Sequence, residues 1–362
     1  MRWPIALTLA VLLAACSSAD TPPQTQIDRL RVLSVRIDGP QDPASPSGQR
    51  FAEIKPGEAA TLTPVVLAPG IAPVDEMTVG QTVCLEDYHQ PRWDRGGPAC
   101  PSRTADVLRF WFWCPPQAAT LYDDPCTRTD VLGSPGAVLS TEGIEPLGQT
   151  CGPQPAAALP TPTPTACVQP RSDLFEGELS DALVRRRGVL MNVLLLSIID
   201  VDSDYAAGRF SELIDKLQAR SIPAVLSLKR VPVLDQPTNH NPVITALSGS
   251  SGAIENGSAQ GHDKHLGVSA DPAERYDQVN LDGTVTPRTE KLDIAWLSGF
   301  GRFDDAHTLL DESNTFDPAT GDGIDLPPPG TGDYSMPFVV VARDQRGGEA
   351  WFIVREAVVP RP

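Results

Sequence analysis

The chain has 362 residues, and its 46 acidic residues against 29 basic ones give a formal net charge of −17. That balance excludes a nucleic-acid groove and a polybasic grip on anionic lipid, since both need an excess of clustered Lys and Arg. The length suffices for two cores, while 37 Pro and 29 Gly imply many turns and few long helices.

The chain opens MRWPIALTLAVLLAACSS, with Arg2 before an almost wholly apolar run from Pro4 to Ala15. The run is too short to span a bilayer as an ordinary helix and reads as an export signal. It ends in Leu13-Ala14-Ala15-Cys16, which resembles the lipobox of bacterial lipoproteins. Small residues there admit a peptidase to the backbone, and the Cys16 sulfur takes the lipid. Ser17, in the second mature position, implies by the same resemblance an outer-membrane anchor facing either the periplasm or the exterior. Residues 1–16 are thus signal peptide and lipobox, and 17–28 have the composition of a flexible tether.

A first sandwich domain is expected over 29–235. Its opening strand is Arg29–Ile37 (RLRVLSVRI), with high β-branched content. The turn and strand of Lys55–Gly70 follow, and then Asp106–Cys114 (DVLRFWFWC), whose aromatics on both faces mark a strand covered on two sides. Residues 115–170 form a Cys/Pro-rich insertion that includes PTPTPT, a run suited to polyproline II and not to a central strand. Excluding Cys16, six cysteines remain: Cys84, Cys100, Cys114, Cys126, Cys151 and Cys167. In an oxidising envelope they permit up to three disulfides, fifteen pairings being open, with Cys84–Cys114 one candidate between neighbouring strands. Zinc is disfavoured because no C-x2-C pair occurs.

Ser172–Arg187 can form a short helix with Ser172 as N-cap. Gly188–Ile199 (GVLMNVLLLSII) reads as a buried strand, followed by a helix near Arg209–Arg220 and a strand at Ala224–Val233. A polar, Pro-containing joint at 236–242 separates the first domain from a second, 243–357. There Lys291–Ser298 alternates as a strand, and Phe338–Arg343 and Ala350–Val354 flank the turn DQRGGE as a hairpin.

LRVLSVRIDGP, PGEAATLTPVV, LRFWFWCPP, KRVPV with NHNPVI, YDQVNLDGTVTPRTEKLDIAWLSGFGRFDD and FVVVARDQRGGEAWF together resemble the immunoglobulin-like or PKD-like modules found in tandem in surface lipoproteins of myxobacteria and related soil bacteria. The resemblance touches nearly all of 29–355. It implies an all-β fold of tandem immunoglobulin-like sandwiches and no particular activity, from whose minimal module this chain departs through a disulfide-rich loop segment at 115–170 and small helical insertions, one of them at 200–220. Short strands separated by Gly/Pro turns favour the same fold class.

The candidate chemistry centres on DVDSDYAAGRFSELI, where Asp200, Asp202 and Asp204 match the first three ligands of an EF-hand loop. Position six is Tyr205 rather than Gly, and Glu212 falls one place beyond position twelve. Two readings therefore stand: a looser calcium site on these three aspartates, or an acidic turn before a helix. Asp317, Asp322 and Asp325 form a second acidic loop, and His262 with His265 the only close histidine pair. Trp111 and Trp113 offer a candidate sugar-binding face. No G-x-S-x-G, H-E-x-x-H or P-loop motif occurs. The expectation is a non-enzyme without a resident cofactor, a lipid-anchored scaffold or binding protein for an envelope protein or polysaccharide, with no nucleic-acid partner. The alternatives are a calcium-dependent adhesion or carbohydrate-binding module and an accessory subunit of an envelope complex.

Overall fold

The computed structural model describes residues 25, 27, 29–45, 48–68, 82–84, 104–114, 125–139, 144–151, 160–176, 179–249, 254–256, 264–271, 273–299, 301–317 and 334–360. In the N-terminal half the strands are β1 Arg31–Asp38, β2 Ala60–Leu67, β3 Thr82–Cys84, β4 Thr104–Cys114, β5 Glu145–Leu147, β6 Ala166–Val168, β7 Val189–Asp200 and β8 Ala224–Val233. Among the described residues four short helices accompany them: α1 Thr129–Gly133, α2 Pro135–Val138, α3 Ala182–Arg187 and α4 Phe210–Gln218.

β7 is the organising strand. Its last ten residues, from Met191 to Asp200, are all buried, as an apolar run is when both faces of a sheet are covered. It pairs antiparallel with β4 on one side and β8 on the other, while β3 and β5 sit at opposite ends of the outer edge of β4. Along β4 and β7 the side chains alternate between two environments. Val107, Trp111, Met191, Val193 and Leu195 meet Ile37, Leu62, Val66 and Val168 of the small sheet β1-β2-β6. Phe110, Phe112, Leu194, Leu196 and Ile198 face the other way, onto Val131 and Val138 near α1 and α2 and onto Leu213 and Leu217 of α4.

That helical layer corrects the expectation of all-β tandem immunoglobulin-like sandwiches. The fold is mixed α/β, built from small open sheets of mainly antiparallel strands, none of them closed into a sandwich or barrel. The physical reason lies in the Cys/Pro-rich segment and in α4. Leu213 and Leu217, four residues apart, share one helix face, and burying each is worth about 1.5–3 kcal/mol. α2 approaches α4 closely at Gly136, where a Cβ would lie 2.6 Å from Gln218 Cγ and 3.2 Å from the Ile214 carbonyl oxygen. α3 is shorter than expected and is capped by Asp181, not Ser172: Asp181 Oδ1 accepts the amides of Leu183 and Val184 at 2.8 and 3.2 Å.

Two disulfides join described residues, Cys114–Cys126 and Cys151–Cys167. The first ties β4 to the turn that leads into α1, so Cys114 is not bridged to Cys84. The second ties the start of the Pro-rich stretch to β6. Cys16, Cys100 and the Cys84 side chain lie outside the described residues.

In the C-terminal half the strands are β9 Ile244–Ser248, β10 Ile254–Asn256, β11 Lys264–Ala270, β12 Arg275–Val279, β13 Val285–Thr289, β14 Asp293–Ser298, β15 Arg302–Phe303, β16 His307–Leu309, β17 Asn314–Asp317, β18 Tyr334–Arg343 and β19 Glu349–Pro360. They form an open sheet β10-β19-β18-β14-β16, a second sheet β15-β17-β11-β9 and the hairpin β12-β13. All these pairings are antiparallel except β10 with β19. Trp296, Phe303, Phe316 and Phe338 cluster between the two sheets, with ring centroids 4.7 to 5.6 Å apart. The same apolar cluster takes in Ile27, Leu33, Val65 and Leu67 from the N-terminal half. The end of the expected tether is also docked: Ile27 N–H donates to the Ser298 carbonyl at 2.9 Å and Ser298 N–H to that of Thr25 at 2.8 Å.

Candidate functional site

The acidic motif leaves the end of β7 and enters α4. The Asp200 carboxylate is turned back on the chain, accepting the amides of Asp204 at 2.9 Å and Tyr205 at 3.2 Å. Asp204 is buried and accepts Arg209 Nη2 at 2.6 Å and Lys216 Nζ at 2.5 Å. Asp202 reaches the same Lys216 ammonium at 2.6 Å. Lys216 stands two turns into α4, which brings its amine back over the loop. The structure therefore gathers Asp202 and Asp204 around a lysine, while Asp200 serves the backbone. Hydrogen bonds from Lys216 and then Arg209 hold the Asp204 carboxyl below the usual carboxylate range, and Asp202 followed by Asp204 raises the Lys216 ammonium. Among the described residues no group of three or more His, Cys, Asp or Glu is placed to hold a metal ion.

The other sequence candidates are dispersed. Asp317 in β17 lies 4.0 Å from Arg302, and Asp322, Asp325 and His262 lie outside the described residues. His265 meets Thr315 Oγ1 at 3.2 Å. Trp111 is core, its indole N–H donating to the Thr163 carbonyl at 3.1 Å, and Trp113 is half-buried with its N–H on Glu145 at 3.0 Å. They do not form an exposed aromatic face.

A charge cluster that sequence reasoning missed lies at the joint. The backbone of 236–242 runs beside residues 50–54, with Ala52 N–H on the Asn239 carbonyl at 2.9 Å and Asn241 N–H on that of Arg50 at 3.1 Å. Glu53 is buried, and its Oε2 accepts the amides of Thr238 and Asn239 at 2.8 and 3.0 Å. Its Oε1 takes Arg346 Nη2 at 3.1 Å. The same guanidinium reaches Glu290 at 3.2 Å and Thr238 Oγ1 at 2.6 Å, lies 4.0 Å from Glu274, and sits 4.6 Å over the Tyr276 ring.

Arg346 is aimed by the tight turn between β18 and β19. Asp344 Oδ1 accepts the amides of Arg346 at 2.7 Å and Gly348 at 2.8 Å, and its Oδ2 accepts Asn239 Nδ2 at 3.0 Å. Only glycine fits at 348, where a Cβ would lie 2.1 Å from Asp344 Oδ2 and 2.9 Å from the His240 carbonyl. His240 stacks on Phe51 at 4.5 Å and bridges Glu274 and Asp42 at 2.7 and 3.1 Å. Asn241 accepts the Glu349 amide at 3.1 Å and donates to the Ile37 carbonyl at 2.6 Å.

Three carboxylates, those of Glu53, Glu290 and Glu274, thus share one arginine side chain. Burial, then the Asp344 charge, pushes the Glu290 carboxyl up to about 7, and burial raises Asp344 as well. Next to this cluster, Glu349 receives Lys229 at 2.9 Å, the Val35 amide at 2.9 Å and the Ser34 hydroxyl. The arrangement ties segments from both halves of the chain together. Its evident chemistry is cohesion. Neither a family model nor a curated relative matches this chain.

Proposed function

We propose that the protein is a non-catalytic envelope protein, held to the outer membrane by a lipid on Cys16, that acts as a rigid scaffold or binding protein. The joint is the observation that supports this reading. A scaffold must hold its surfaces in fixed relation, and here residues 236–242 are stitched to Glu53, Asp344 and Arg346 where a free linker would leave them in solvent. Loops on such a frame are the usual place for recognition.

The test is made in cells. Cys16→Ser is expected to move the protein from the membrane fraction to the soluble envelope contents, and amine cross-linking of the native protein to give discrete larger adducts. Retention at the membrane without Cys16, or turnover of an envelope polymer by the purified chain, would overturn the reading.

A further inference from the structure

Among the described residues the hairpin of β12 and β13 pairs with no other strand, and a ribbon of two strands is marginally stable by itself. It is held at both ends. At its base Arg346 lies 4.6 Å over the Tyr276 ring and pairs with Glu290 at 3.2 Å. At its tip a Cβ on Gly283 would lie 4.0 Å from Leu183 of α3, in the other half of the chain. The turn itself is closely tied. Gly283 N–H donates to the Asn280 carbonyl at 3.0 Å, Asn280 N–H to that of Thr284 at 2.8 Å, and Asp282 Oδ1 accepts the Thr284 amide at 3.0 Å. This fixed corner carries Leu281, which is 76% exposed. Val285 beside it and Leu190 at the start of β7 are exposed as well, so three of the six large apolar side chains that the described residues expose belong to this tip and to the strand that follows α3.

α3 adds charge opposite in sign to the chain's net −17, for its last turn is Arg185-Arg186-Arg187. One cation at a helix C-terminus answers the helix dipole, and Arg185 is also paired with Asp235 at 2.9 Å. Arg186 and Arg187 are exposed, and among the described residues neither side chain forms an ion pair or a hydrogen bond. Arg230 is exposed and unengaged in the same sense. In the β7–β8 pairing it is the diagonal neighbour of Leu190, about 7–8 Å away on the same face. The carboxylates close by are engaged locally: Asp181 caps α3, Asp235 holds Arg185 and Asp282 ties the turn. Because α3 is only about 9 Å long, the tip, the arginines and Leu190 lie within about 20 Å of one another.

We propose that the hairpin tip and the arginine end of α3 form a docking face for an acidic segment of another envelope protein. Leu281 and Leu190 are its apolar anchors. Arg186, Arg187 and Arg230 pair with the partner's carboxylates, to which a guanidinium offers planar, bidentate donors. Charge complementarity thus selects the partner, and a tip already fixed in place loses little freedom on binding. A lipid surface is the poorer fit, because anchoring there takes a larger basic cluster. The proposal rests on the binding-protein reading above and gives it a surface and a partner chemistry.

The experiment uses the full lipidated chain in its own cells, with the photo-reactive amino acid p-benzoylphenylalanine placed at position 281 or, as a control, at position 132, where α1 exposes Leu132. Irradiation is expected to give a discrete adduct with a second protein from position 281 and none from position 132. Mass spectrometry should place the linked residue in a segment rich in Asp and Glu. The yield should fall about tenfold in R186Q/R187Q, the scale of one well-formed interfacial charge pair. It should also fall as salt is raised during irradiation of isolated envelopes. An adduct of two copies of this chain, a linked segment without an acidic excess, or an unchanged yield in a folded R186Q/R187Q would each overturn the proposal. Absence of adducts from position 281 while amine cross-linking still gives larger species would overturn this surface alone. Absence of both would overturn the binding-protein reading with it.

Discussion

Replacing Glu290 by Gln should flatten the dependence of stability on pH. In the folded protein this carboxyl is held up to about 7 by burial and the Asp344 charge, against an ordinary value of 4.5. The folded state therefore binds the Glu290 proton more tightly than the unfolded chain does. That contribution is fully present below about pH 4.5 and is lost as pH rises through 7. Each unit of pKa difference is worth about 1.4 kcal/mol. Between pH 5 and 8 the wild type should lose roughly 2–3 kcal/mol of unfolding free energy through this group. Asp344, also raised by burial, acts with the same sign. E290Q keeps the shape and a hydrogen-bonding oxygen for Arg346 but cannot ionise. Urea unfolding of both proteins at pH 5, 6, 7 and 8 reads the difference directly. E290Q should lose much less stability over this window, and parallel profiles would refute the account of the cluster.

Leu213→Ala removes a fully buried side chain that joins α4 to the central sheet, and is expected to cost about 2–5 kcal/mol in the same assay. Changing Cys114 and Cys126 together to Ser opens a bridge of sequence separation 12, for which loop entropy gives a loss of about 3 kcal/mol. Gly348→Ala forces a Cβ against Asp344 and the His240 carbonyl, so a loss of about 1–3 kcal/mol is expected in chemical unfolding. Calcium titration of the wild type should give no stoichiometric heat, because Lys216 already occupies the space between Asp202 and Asp204. A raised melting temperature with calcium, lost in D202A, would show that the ion displaces it.

Much of the strand framework is legible in the sequence. The unbroken apolar run of β7, the two-sided aromatics of β4 and the paired runs around DQRGGE each have a local pattern that burial and twist reward. The helical layer is harder to see. α1 and α2 are only five and four residues long, lie in a segment dominated by turn formers, and pack through the Cys114–Cys126 bridge and α4. Without that layer, a sheet needing cover on both faces looks like part of a sandwich.

The acidic motif is visible as three alternating aspartates, but what answers their charge is Lys216, on a helix whose phase decides where the amine points. The joint cluster leaves no local trace. Asp42, Glu53, His240, Glu274, Glu290 and Arg346 are spread over three hundred residues, and only the folded pairing of the 50–54 strip with the joint brings them together.

Amide hydrogen exchange at Asn239 and Asn241 tests the rigid joint most directly. Their N–H groups are held by Glu53 and the Arg50 carbonyl. Exchange should require nearly the full unfolding free energy measured for β7 amides, because opening the joint breaks the whole cluster. Exchange within seconds at neutral pH, as in a solvent-exposed linker, would show that the two halves move independently and would contradict the account.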